Sequence, residues 1–283
     1  MPARQAFVVE MVDEDKNDVM NAIGLNSSVF NFARIVGPAI GGVVVAAVGE
    51  APAFAINGVS YLAVILALVL MRLPLPDLSK PESRPLERMG MGIQYILGET
   101  TILGLVAMVA AFSMVGFGAL TLVPVFAKDI LKIGVEGFGQ LLSWQGVGAL
   151  AGGGLLVFLG DHFHKGKLLT FSRLLLGPAI LGISVSRVPW ISMSLMAILG
   201  YSLISQLVIT NTLIQTIVPD DIRGRVMSTY TWALGGFYPL GSLLIGALGD
   251  QIGAPSAALI SGIGCLLLVL FSLTVFPDLH RID

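Results

Sequence analysis

The strongest constraint on this chain is a series of apolar runs, each about as long as a bilayer is thick. A helix needs ~20 apolar residues to cross hydrocarbon, where every backbone polar group must be bonded within the segment. Eight runs meet that length, at about 22–48, 52–73, 99–127, 136–160, 167–186, 189–217, 224–248 and 253–276. Most connections between them are short, which predicts antiparallel neighbours. The fold class expected is therefore an all-α membrane protein with eight transmembrane helices.

Composition agrees. Only 12% of residues are charged and 55% are hydrophobic, whereas a soluble domain carries about a quarter charged residues. So few charges cannot clothe a soluble surface, and the natural partner is a lipid bilayer. The net charge of −2 leaves no footprint for nucleic acid. The single cysteine, Cys265, lies in an apolar run and has no internal disulfide partner. The opening MPARQAFVVEMVDEDKND lacks the apolar centre of a signal peptide and reads as a cytoplasmic segment.

The distribution of basic residues predicts orientation. With the N-terminus in the cytoplasm, Arg4, Lys16, Arg72, Lys80, Arg84, Arg88, Lys165, Lys167, Arg173, Arg223, Arg225 and Arg281 fall on the cytoplasmic side. The outer loops then hold Lys128, Lys132 and Arg187. Both termini are expected to be cytoplasmic, in a multi-pass protein of the plasma membrane. The longest polar stretch, LPLPDLSKPESRPLERMGMG, follows the second run with four prolines and three basic residues.

Small and polar residues within the spans are the candidates for function. Gly148-x-x-x-Gly152 is a spacing that lets membrane helices approach closely. Pro124, Pro178 and Pro239 are expected to bend their helices. Arg34 stands inside the first run, where a charge needs a cavity or a partner, and Asn31 lies near it. In the sixth run Ser202, Gln206 and Thr210 recur every four residues and share one helix face, with Asn211 beside them. That face would either line an aqueous path or bond to neighbouring helices. Asn57, Gln145 and Tyr230 are polar candidates of the same type. Glu99 stands at the entrance of a run and Asp250 at an exit.

Enzyme chemistry finds no support in the residues. Between Gly160 and Gly166 the glycines are one residue too far apart for a phosphate-binding loop, and Leu168 follows Lys167 where Ser or Thr is required. His162 and His164 lack the further ligands that zinc takes. Neither a metal nor a cofactor is expected.

Three stretches carry a family resemblance. Gly37, Pro38, Gly41 and Gly42 form Gly-Pro-x-x-Gly-Gly, which resembles the antiporter motif in the fifth helix of drug exporters of the major facilitator superfamily. The surrounding PARQAF…NAIGLNSSVFNFARIVGPAIGG is similar to the branch of enterobactin exporters, macrolide efflux proteins and transmembrane secretion effectors. Residues 219–228, PDDIRGRVMS, resemble the entry to that branch's eleventh helix. Gly160, Asp161, Gly166 and Lys167 sit in a loop similar to the family's gating loop, with His162 where arginine is usual. The resemblance implies that Asp161 and Lys167 pair to latch the inner side.

It also implies an organisation. The eight runs would be helices five to twelve of a twelve-helix fold. Residues 1–73 would hold a cytoplasmic segment and the last two helices of the first half, 74–98 the linker between halves, and 99–283 a complete six-helix second half. A separately encoded N-terminal helix bundle would then be a partner. The implied function is gradient-driven export of a small amphiphilic compound, drug-like or siderophore-like, by alternating access. Arg34, Asn31, Ser202, Gln206, Thr210 and Asn211 would lie along the pathway. The competing expectations are an inactive or split-gene fragment of such a transporter and a non-transporting membrane scaffold.

Overall fold

The computed structural model describes residues 44, 48–70, 85–159, 164–280 and 282. Its elements are helical throughout. In chain order they are α1 (Glu50–Leu70), α2 (Pro85–Gly98), α3 (Thr100–Ile130), α4 (Gly134–Leu159), α5 (Lys165–Val185), α6 (Pro189–Ile217), α7 (Asp220–Ile252) and α8 (Ala254–Val275). A single 3-10 turn, Pro277–His280, follows.

Among the described residues, six helices are long and apolar enough to cross a membrane: α1, α3, α5, α6, α7 and α8. Helix α4 has 26 residues, about 39 Å at 1.5 Å per residue. Of the first expected run, 22–48, only 44 and 48 are among the described residues.

The stops follow from local chemistry. Pro189 opens α6, where its missing N–H costs no helical bond. Gly253, at φ +85°, makes the tight reversal between α7 and α8.

Helices α3 to α8 alternate in direction and pack as one bundle. Helix α4 lies along α6, α5 along both α6 and α8, and α3 against α7 and α8. The core runs through all six, with Leu105, Phe112, Leu141, Leu176, Met196, Leu213, Tyr230 and Cys265 among its most buried residues. One end of the bundle, the tail face, carries the α2–α3 junction, the start of α5, the α6–α7 loop and Pro277–His280. The opposite face carries residues 131–133, 186–188 and Gly253.

Burial is inverted in α1. Phe54 is 74% and Val69 75% exposed, and none of its apolar stretch is buried. Such a surface is stable only against lipid or other helices.

Three features depart from the sequence reading. Residues 85–98, expected as part of a polar linker, form α2, which packs on α7 and buries Gly92 and Ile96. Next, α3 is not a uniform α-helix. It passes from α (Thr100–Phe112) to π (Ser113–Phe117), to 3-10 (Gly118–Leu122), to one α turn (Val123–Val125) and to π again (Phe126–Ile130). Finally, Arg173, counted above with the cytoplasmic charges, lies eight residues inside α5 and is 3% exposed. At 1.5 Å per residue it is about 12 Å from the helix start.

Candidate functional site

The shared face of α6 forms as expected and turns into the bundle. Ser202, Ser205, Gln206 and Thr210 are all buried. Ser202 Oγ donates to the carbonyl of Ile198 at 2.8 Å, a bond within its own helix. Ser205 packs toward Gly152 of α4. Gln206 Nε2, Ser205 Oγ and Thr210 Oγ1 have no hydrogen-bond partner among the described residues. Asn211 is half-buried, and its side-chain oxygen accepts from Gln215 one turn later. The expected polar set therefore splits. Ser202, Gln206 and Thr210 make a buried seam, and Asn211 sits at its edge.

Glycines bring α4 and α6 together here. A Cβ on Gly148 would overlap the Ala197 carbonyl, and one on Gly200 would overlap the Gln145 carbonyl. A Cβ on Gly152 would stand 2.9 Å from the Tyr201 carbonyl oxygen. Close packing is thus the role of Gly148 and Gly152, and the seam lies beside the tightest helix contact in the bundle.

A second polar cluster adjoins the seam. The Arg173 guanidinium carbon lies over the Phe112 ring of α3, 5.5 Å from its centre. Tyr230 of α7 is 1% exposed. Its hydroxyl donates a long bond, 3.4 Å, to the Leu207 carbonyl of α6. Ser113, beside Phe112, starts the first π segment and is fully buried. The Arg173–Phe112 contact thus joins α5 to α3, and the Tyr230 bond joins α7 to α6. Tyr230 was legible as a candidate; Arg173 was missed, although a charge six residues inside an expected span was itself a signal.

The π segment is held from outside. Ser261 Oγ of α8 donates to the Val115 carbonyl at 2.6 Å. A π turn displaces carbonyls from the regular i→i−4 ladder, and this bond satisfies one of them.

At the tail face the gating-loop residues divide. Gly160 and Asp161 lie outside the described residues. Lys167 is exposed, while Gly166 is buried and its N–H donates to the Ile282 carbonyl at 2.9 Å. Leu279 and His280 backbone atoms crowd Gly166, so the tail docks on the first turn of α5. Nearby, Met91, Gln94, Tyr95, Gly98, Glu99, Ile222 and Arg225 line a cavity of about 430 Å³ between α2 and α7. Arg225 Nη1 donates to Met91 sulfur across it at 3.4 Å.

Arg34, Asn31, Gly37, Pro38, Gly41 and Gly42 lie outside the described residues. Among the described residues no group of three or more His, Cys, Asp or Glu could hold a metal.

Comparison with known proteins follows the same lines. The family model described as transmembrane secretion effector matches residues 1–282. The chain is similar to the staphyloferrin A transporter of Staphylococcus aureus, at 26% identity over 95% of this chain and 67% of that protein. It is 26% identical to the multidrug efflux pump Tap of Mycolicibacterium fortuitum, over 100% of this chain and 69% of Tap. With the enterobactin exporter EntS of Escherichia coli it shares 25% identity over 94% of this chain and 63% of EntS. The chain thus spans about two thirds of the length of these relatives. Its fold resembles a crystal structure of a bacterial homologue of the human lysosomal transporter Spinster, inward-facing and unoccupied. There the TM-score is 0.57 at 16% identity, covering 99% of this chain and 73% of that one.

Proposed function

This chain belongs to the transmembrane secretion effector family of the major facilitator superfamily, and on that premise we propose that it is a secondary active exporter of a small amphiphilic compound. The relatives named above are transporters rather than enzymes. The observation that carries the reading is the extent of the family match, which runs nearly end to end.

The proposed architecture has eight spans corresponding to helices five to twelve. Helix α1 and the run before it would close the first half, residues 74–98 would link the halves, and α3–α8 would form the second half. Transport would proceed by alternating access, the halves rocking about a site near the bilayer midplane. The relatives' names describe exporters of siderophores and multiple drugs, which favours an amphiphilic cargo. An ion gradient is the proposed energy source.

Arg34 and Asn31 are proposed to line the pathway from the first half, with Gly37, Pro38, Gly41 and Gly42 shaping their helix. The α6 seam would contribute from the second half. Gln206 and Thr210 hold unpartnered polar atoms at membrane depth, which is costly unless a ligand or water meets them in some state. Gly160, Asp161, Gly166 and Lys167 would latch the inner side.

Everted membrane vesicles test the direction of transport. Vesicles bearing this chain should accumulate a fluorescent lipophilic compound when energised, and dissipating the ion gradient should empty them. Accumulation that persists without a gradient would reject secondary active export. Orientation has its own test in a Cys265→Ala background. A cysteine at Lys167 should label only after cells are opened, and one at Arg187 in intact cells; the reverse pattern would invert the topology.

A further inference from the structure

Arg173 is a buried cation without a described counter-charge. Its side chain is 3% exposed. Its Nε and Nη2 find no partner among the described residues. The described carboxylates stand at helix ends or in the tail: Glu99 before α3, Asp129 at its far end, Glu136 in the first turn of α4, Asp250 near the end of α7 and Asp278 after α8. The Phe112 face offers only partial compensation. A guanidinium does not shed its proton at any ordinary pH, so burial cannot neutralise it. A cation held this deep calls for an anionic partner.

The surroundings are those of an anion site. Arg173 presents two free donors in the fork geometry that suits a carboxylate. Tyr230 adds a hydroxyl that donates to the Leu207 carbonyl at 3.4 Å. Ser113 Oγ is buried without a partner at the start of the π segment. On α6, Gln206 precedes Leu207 and Thr210 lies three residues beyond it, and both hold polar atoms with no partner among the described residues. Tyr230 is ten residues into α7, and Leu207 ten residues before the end of α6. Both are then about 15 Å from the tail-face ends at 1.5 Å per residue, well inside a membrane. Irregular backbone at that depth is found where a helix lines a site or a cavity, and α3 turns irregular beside Phe112.

We propose that Arg173, supported by Tyr230, Ser113 and Gln206, forms a carboxylate-binding site inside the α3–α5–α6–α7 bundle. The anion is either the acidic group of an amphiphilic cargo or a small free carboxylate. The first alternative deepens, and rests on, the exporter reading.

The test is thermal unfolding of the purified full-length chain in neutral detergent at constant ionic strength. Acetate and benzoate are the probes, with acetamide and benzamide as uncharged controls. Benzoate should raise the midpoint saturably and benzamide should not. Arg173→Gln should abolish the shift, and Arg173→Lys should keep a weaker one because it retains the charge without the fork. An equal shift with acetate assigns the site to a free carboxylate; a shift with benzoate alone assigns it to an amphiphilic acid. If Arg173→Gln does not fold, Arg173→Lys and Tyr230→Phe must each weaken the benzoate response. No response in the wild-type chain, or an undiminished one in the variants, would overturn the site. Binding is read without transport, so loss of one leaves the other standing.

Discussion

Gly148 of α4 faces the carbonyl of Ala197 in α6 with no room between them for a side chain. This contact holds the polar seam of α6 against its neighbour. Small residues allow the approach, and dispersion across the close-packed surfaces then stabilises it, since lipid removes the hydrophobic drive between helices.

Gly148→Leu should therefore destabilise the bundle by about 1–3 kcal/mol or more, the usual cost of overpacking. Gly154, on the same helix, has nothing near its Cβ position. Gly154→Ala should be neutral or stabilising by up to about 1 kcal/mol through helix propensity. Thermal unfolding of both variants in detergent checks the contrast; equal effects would deny that α4 and α6 meet at Gly148.

Ser261→Ala should leave the Val115 carbonyl of the π segment without its side-chain donor. Loss of one partner from a buried bond costs about 1–3 kcal/mol. Hydrogen exchange near residues 113–122 should accelerate, while exchange in α4 stays unchanged. Uniform acceleration across the bundle would show that Ser261 has no specific link to α3.

How much of this was legible in the sequence depends on which physical property carries each feature. Hydropathy carries the spans, so the described ones fall within a few residues of expectation and 189–217 matches at both ends. The π and 3-10 turns of α3 were invisible, because hydropathy is blind to hydrogen-bond register. Helix α2 was hidden by the prolines and charges before it. Its face shows only once Gly92 lies against Arg225 of α7. Arg173 was misassigned because counting basic residues by side of the membrane assumes that each reaches a surface. The Gln206 face was legible from its four-residue period, but period alone does not say whether a face meets a cavity or another helix.

Gly166→Val should displace the tail from the first turn of α5. A Cβ at Gly166 would collide with the Leu279 carbonyl and crowd His280. In a Cys265→Ala background, a cysteine at Leu279, itself 3% exposed, should label slowly in the parent and at least about tenfold faster in the variant, the factor that 1.4 kcal/mol of lost docking energy gives. Unchanged labelling would place the tail away from that turn.

Joint replacement of the pathway candidates, Arg34→Ala with Gln206→Ala, should lower export about tenfold or more, the effect of losing roughly 1.4 kcal/mol of interaction. Efflux unaffected by the pair, at equal protein level in the membrane, would remove both residues from the pathway.

The central claim is that this chain moves a small amphiphilic compound across a bilayer at the expense of an ion gradient. Purified chain in liposomes, loaded with a fluorescent amphiphile and given an imposed proton or sodium gradient, tests it most directly. The account predicts movement of the compound that starts with the gradient and stops when an ionophore collapses it. Folded chain, confirmed by a cooperative unfolding transition, that moves no compound under either gradient would contradict it.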